Sequence, residues 1–246
     1  MEPLTTPPAP APGTESNLAL VQGMARTKET LAAWRAAPWP VLSGWFSASL
    51  LVAVGLLAAV AVVAHNRTPD PFTGVLPGIY GDVGASDVAR TITRNLLVLA
   101  LHSLACVAGF IAGSSMPLEA QQRGGAWGAI HDYAGRFAIL FVTAATLFSL
   151  LTQAFVLGGI TSDVAFVLDL HQTELIVLLL PHAIPELVGL FLPLAAWLIA
   201  SRRGEWGTLL AATFVTTAIA LPMVFGAALI EVYVTPDLIA GHAGIR

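Results

Sequence analysis

Five apolar runs, each close to the length of a membrane-crossing helix, constrain this 246-residue chain more than any single motif does. They lie at about residues 43–64, 95–114, 137–159, 175–200 and 207–234. A hydrocarbon core about 30 Å thick takes roughly 20 helical residues. The expected fold is therefore all-α, a polytopic transmembrane helix bundle of about five spans, with the lipid bilayer as its first partner. Composition agrees: charged residues are 11% of the chain, about half the usual share of a soluble domain, and the mean hydropathy is +0.78.

The remaining segments divide simply. Residues 1–17 hold Pro3, Pro7, Pro8, Pro10 and Pro12 and no apolar face, so a disordered Pro-rich tail is expected rather than a signal peptide. Across 18–40, Leu20, Met24, Leu31 and Trp34 share one helical face, with Arg26, Lys28, Glu29 and Arg35 elsewhere. That pattern suits an amphipathic helix at the membrane surface, stopped by Pro38 and Pro40, with Trp34, Trp39 and Trp45 as an aromatic anchor. Residues 41–236 form the five-span domain and 237–246 a short tail.

With the N-terminus inside, seven Lys and Arg residues fall on the inner side and four on the outer. The positive-inside rule then predicts a cytoplasmic N-terminus and an external C-terminus in a bacterial cytoplasmic membrane. Ser86 and Asp87 can cap the helix of the second span, which puts Arg90 and Arg94 on an external helical turn. His131, Asp132 and Tyr133, and in the third loop Asp163, Asp169, His171 and Glu174, are expected as solvated loop surface.

The fourth run carries Pro181-His182-Ala183-Ile184-Pro185-Glu186 inside hydrocarbon. An intramembrane His or Glu is costly and is by default a candidate site; spaced four apart, the two share one helix face. Pro181 and Pro185 remove amide donors, so a broken fourth span is expected, with further interruptions at Pro193 and at Pro222 of the fifth run. Parity of the spans brings Asn95, His102, His182, Glu186 and Glu231 into one half of the membrane. Five unrelated accidents would not share a leaflet. Two readings stay open for this intramembrane polar cluster: hydrogen bonds that fix packing, or groups that handle a ligand or proton.

Several chemistries lack their residues. Cys106 is the single cysteine, so intramolecular disulfides and cysteine-rich metal sites are excluded. His182-x3-Glu186 is not a metalloprotease pair, and no native metal is expected. Ser114 and Ser115 lie at the far end of the second span from His102, with no nucleophile elbow. No nucleotide loop, cofactor motif or basic patch for nucleic acid occurs. Catalytic residues, and an enzyme at all, are not expected. Gly109-x3-Gly113 reads as a close-packing motif that seals the bundle itself, with a homo-oligomer as the other use.

At these residues the chain resembles the stage II sporulation protein M family, integral membrane proteins with commonly five spans. Pro181-His182-Ala183-Ile184-Pro185-Glu186-Leu187 matches that family's Pro-His-Gly-x-x-Glu-Leu element, with Ala183 for glycine. Ile230-Glu231-Val232-Tyr233-Val234-Thr235-Pro236 matches its Ile-Glu and following Thr-Pro. Arg94-Asn95 and the run to Gly109 and Gly113 match more weakly, and the family's Asn-Gly element is missing from 120–136. The resemblance covers residues 95–236. It implies a non-catalytic membrane subunit or scaffold, working with other membrane proteins, a separate ATPase or a cell-wall enzyme complex. The rival is a permease-type subunit that moves an ion, proton or lipid-like substrate.

Overall fold

The computed structural model describes residues 26–70, 79, 83–115 and 125–245, without the side chains of 114–136 and 138. The expected tail 1–17 and the start of the surface helix lie outside the described residues.

Among the described residues seven α-helices follow one another and no strand occurs. α1 covers 26–36, α2 Trp39–Asn66, α3 Ala85–Phe110, α4 Gly125–Val167, α5 Gln172–Arg203, α6 Leu209–Leu229 and α7 Thr235–Ala243. Wider π turns occur at Ile111–Ser115 and Ile230–Val234, and a tight 3-10 turn at Trp206–Thr208 opens α6. Among the described residues five stretches are long and apolar enough to cross a membrane: Trp39–Asn66, Ala85–Gly113, Ile139–Val167, Gln172–Arg203 and Trp206–Ala243. The bundle is all-α, as the apolar runs require.

The helices outrun the expected spans because their ends are capped or continue in polar sequence. α3 begins about ten residues early, where the Gly84 amide donates to Asp87 Oδ2 at 3.0 Å. Arg90 and Arg94 therefore stand on its first turns. α4 starts at Gly125, so His131, Asp132 and Tyr133 have helical backbone rather than loop. α5 opens with a reciprocal cap: Thr173 N donates to His171 Nδ1 and His171 N to Glu174 Oε2. It ends at Gly204, whose φ of 68° is the left-handed stop that glycine adopts without strain.

α5 is the hub, packing against α6, α2 and α3, while α4 leans mainly on α2. From Leu187 to Trp197 every residue of α5 is buried, with Phe191 and Leu192 fully enclosed. Gly158 and Gly159 let α4 close on Val63 of α2 and on Arg67 just beyond its end. Gly109 seats the Trp197 ring and Gly113 seats Trp206, so both glycines of the small-x3-small pair serve contacts within this chain. α1 returns to the bundle: Trp34 meets Trp45 edge-on at 5.1 Å, and Arg26 lies over Gly207. Trp45 is a core residue at 4% exposure, and of the three expected anchors Trp39 is the exposed one.

Two expectations about chain path are corrected. The third loop is short, because α4 runs on to Val167 and leaves 168–171 as the turn. Asp163 is consequently buried, accepting from Asp70 N at 2.6 Å, and Ser162 donates to Arg67 O, which ties the end of α4 to the end of α2. The fourth span is not broken. Pro181, Pro185 and Pro193 all sit inside the continuous α5, and Pro222 inside continuous α6. A proline forfeits only its own amide bond, and packed neighbours can take up the freed carbonyls. In the last span the irregular backbone lies instead at Ile230–Val234, just before Pro236. The Pro236 ring clashes with the carbonyl four residues back, and the ladder widens so that Thr235 N reaches Ile230 O.

Candidate functional site

α5, the π turn and α7 meet at one end of the bundle, and their polar side chains converge there. His182 Nδ1 and Thr235 Oγ1 lie 2.8 Å apart in a buried hydrogen bond whose donor is set by the ring tautomer. Thr235 also donates to Ile230 O at 3.1 Å, inside the π turn. Glu186, one turn beyond His182, has Glu231 and Arg94 as its charged neighbours. Arg94 of α3 reaches across, Nη2 donating to Glu231 Oε1 at 3.4 Å and Nε to Asn95 Oδ1 at 3.4 Å. Glu231 Oε2 and Asn95 Nδ2 are buried without a hydrogen-bond partner. The Asn95 amide stands beside Glu186, short of hydrogen-bond geometry.

These groups occupy the polar end of a cavity of about 420 Å³. His182, Glu186, Glu231 and Thr235 line it, and its walls are otherwise mostly apolar, including Leu57 and Val60 of α2, Leu157 of α4 and Leu187 of α5. Arg90 and Arg94, 76% and 62% exposed, stand at its rim, where Arg90 pairs with Asp87 at 3.7 Å. No family model, curated protein or solved structure matches this chain. The site must be read from its own geometry.

Of the polar cluster expected in one leaflet, His182, Glu186 and Glu231 share the cavity, and Asn95 stands behind Glu186. His102 is elsewhere. Its Nδ1 is bonded to Leu190 O at 2.8 Å, which requires the ring to donate, and the ring packs on Phe191 at 5.5 Å. It belongs to a row of buried pins along α5. Ser49 donates to Val188 O at 2.6 Å and Cys106 to Pro193 O at 2.9 Å. A carbonyl has two lone pairs, so it can hold a side-chain donor alongside its helical bond. The pins stitch α2 and α3 to the stretch of α5 around Pro193.

Arg94 and Thr235 are the site residues that sequence reasoning misses. Signals for both existed: Arg94 precedes Asn95, and Thr235 follows Glu231 by four residues on an apolar helix. Among the described residues no three His, Cys, Asp or Glu side chains stand close enough to hold a metal ion. A mostly apolar cavity with a few polar groups gathered at one end is the form that small-molecule sites commonly take.

Proposed function

We propose that this chain is a non-catalytic integral membrane subunit or scaffold of a membrane complex, of the kind its resemblance to the stage II sporulation protein M family implies. One observation carries the reading. The two elements behind that resemblance, around His182 and around Thr235, are distant in sequence yet joined by a buried hydrogen bond at 2.8 Å. A subunit also needs a face for its partners. On α4, Phe141, Phe148 and Phe155 recur every seven residues, 62%, 72% and 62% exposed. Seven-residue spacing is the repeat of helix-to-helix seams.

A photo-reactive phenylalanine at Phe148 tests the reading in native membranes. The expected product is one discrete protein adduct, recurring at Phe141 and Phe155 and absent when the probe replaces the enclosed Phe191. Lipid adducts alone at all three exposed positions would remove the scaffold reading. The cavity favours a second reading, a permease-type subunit, whose signature would be substrate flux in proteoliposomes.

The orientation belongs to the same proposal. In a Cys106→Ala background, a cysteine at exposed Thr173 should react with an impermeant thiol reagent in intact cells. One at exposed Glu205, beside Arg202 and Arg203, should react only after lysis. The opposite pattern would invert the topology.

A further inference from the structure

The charge and hydrogen-bonding balance of the cavity selects one class of ligand. Two carboxyl groups, Glu186 and Glu231, face one guanidinium, Arg94, while Arg90 at the rim is paired with Asp87. With both carboxylates ionised the polar end carries one negative charge in excess. Its carboxylates leave accepting capacity open, and the Asn95 amide nitrogen beside them is an open donor. Glu231 Oε2 is buried without a donor, and the Asn95 amide and the Arg94 guanidinium stand beside Glu186. Asn95 is 2% exposed and its Nδ2 has no acceptor, so the amide is free to brace Glu186 against a cation. Beyond this end the wall is apolar, and about 420 Å³ lies within the range of pockets that hold small organic ligands.

We propose that the cavity binds an amphiphile through a primary ammonium head, with the head on Glu186 and Glu231 and the apolar tail along Leu57, Val60 and Leu187. The ammonium supplies three donors and one positive charge, matching the unmet acceptors and the excess charge together. An anionic head would meet two carboxylates, and an uncharged apolar ligand would leave the buried acceptors unsatisfied. This inference is independent of whether the chain is a scaffold or a permease subunit. Primary ammonium heads occur on free alkylamines and on aminophospholipids, and the site reads the feature they share.

The test is binding of octylamine, octanol and octanoate to the full chain in phosphatidylcholine nanodiscs, corrected for empty nanodiscs. Octylamine should bind saturably and at least tenfold more tightly than octanol or octanoate. Glu186→Gln, which keeps shape and removes charge, should weaken octylamine at least tenfold while leaving thermal unfolding of the ligand-free chain near wild type. Phosphatidylethanolamine added to the nanodiscs should either displace octylamine, which names a lipid head as the source, or leave it bound, which names a free amine. Equal binding of octanol, tighter binding of octanoate, or no saturable octylamine binding by the wild-type chain would each overturn the proposal. The ligand series on wild-type protein decides the matter even if Glu186→Gln does not fold.

Discussion

Gly109→Leu is expected to prevent the bundle from closing, with the protein lost from membranes or unfolding at low detergent challenge. Even a Cβ at position 109 would lie 2.7 Å from Trp197 Nε1 and 2.8 Å from its Cδ1, with Leu209 Cδ1 at 3.0 Å on the other side. Neither neighbour can retreat. Trp197 is 4% exposed and Leu209 0%, both inside the same core cluster. Overpacking a close-packed interior typically costs about 1–3 kcal/mol, and a leucine adds a branched side chain to a gap that excludes one methyl. Gly109→Ala should therefore destabilise by about 1–3 kcal/mol and Gly109→Leu by more than the fold can absorb. Pairing Gly109→Ala with Trp197→Ala isolates the cause. The second change removes the ring that the new methyl would strike, and Trp197 Nε1 has no hydrogen bond to lose. In the Trp197→Ala background, Gly109→Ala should cost far less than it does in the wild-type chain. A Gly109→Leu protein with wild-type stability would mean that α3 and α5 do not approach as described.

This contact also marks what the sequence could and could not convey. Hydropathy places five membrane-length helices because hydrocarbon demands about 20 apolar residues wherever a chain crosses it. Hydropathy does not say which helix neighbours which, and nothing local to Gly109 or Gly113 identifies Trp197 and Trp206 as their partners. Span ends were legible only approximately, since caps such as Asp87 and His171 extend helices into polar sequence that a hydropathy window treats as loop. Asp163 shows the consequence: a carboxylate in an apparent loop is buried against the Asp70 amide.

Within the site, leaflet and helix face were legible from span parity and the four-residue spacing of His182 and Glu186. Depth counted from the edge of the apolar run could not separate His102 from the cavity, because α3 places it at Leu190 O, about two turns along α5 from His182. The prolines misled for a related reason. Their cost is local and a packed bundle supplies substitutes, so Pro181 and Pro185 leave α5 continuous. Pro236, at the end of its span, is the one that shifts the hydrogen-bond ladder, and Glu231 and Thr235 lie in and beside that turn. Arg94 was read for its charge and topology, whereas its long side chain reaches back to Glu231.

The central claim is that α5 and the last span close one polar site through His182 and Thr235. His182 is 8% exposed and Thr235 4%, and each is held by the other. His182→Ala removes a buried ring and leaves a void, with a loss of about 2–4 kcal/mol expected from large-to-small substitutions. Thr235→Val keeps the volume but removes the hydroxyl, so its loss should be nearer 1 kcal/mol, in the range of one hydrogen bond. The decisive measurement is the double-mutant cycle of unfolding free energies for His182→Ala and Thr235→Val in mixed micelles. The two losses should fall short of additivity by about 0.6 kcal/mol, the average of such cycles for hydrogen bonds between membrane helices, and by at most about 1.7 kcal/mol. Additivity within about 0.3 kcal/mol would contradict the account, because residues that do not touch have nothing to share.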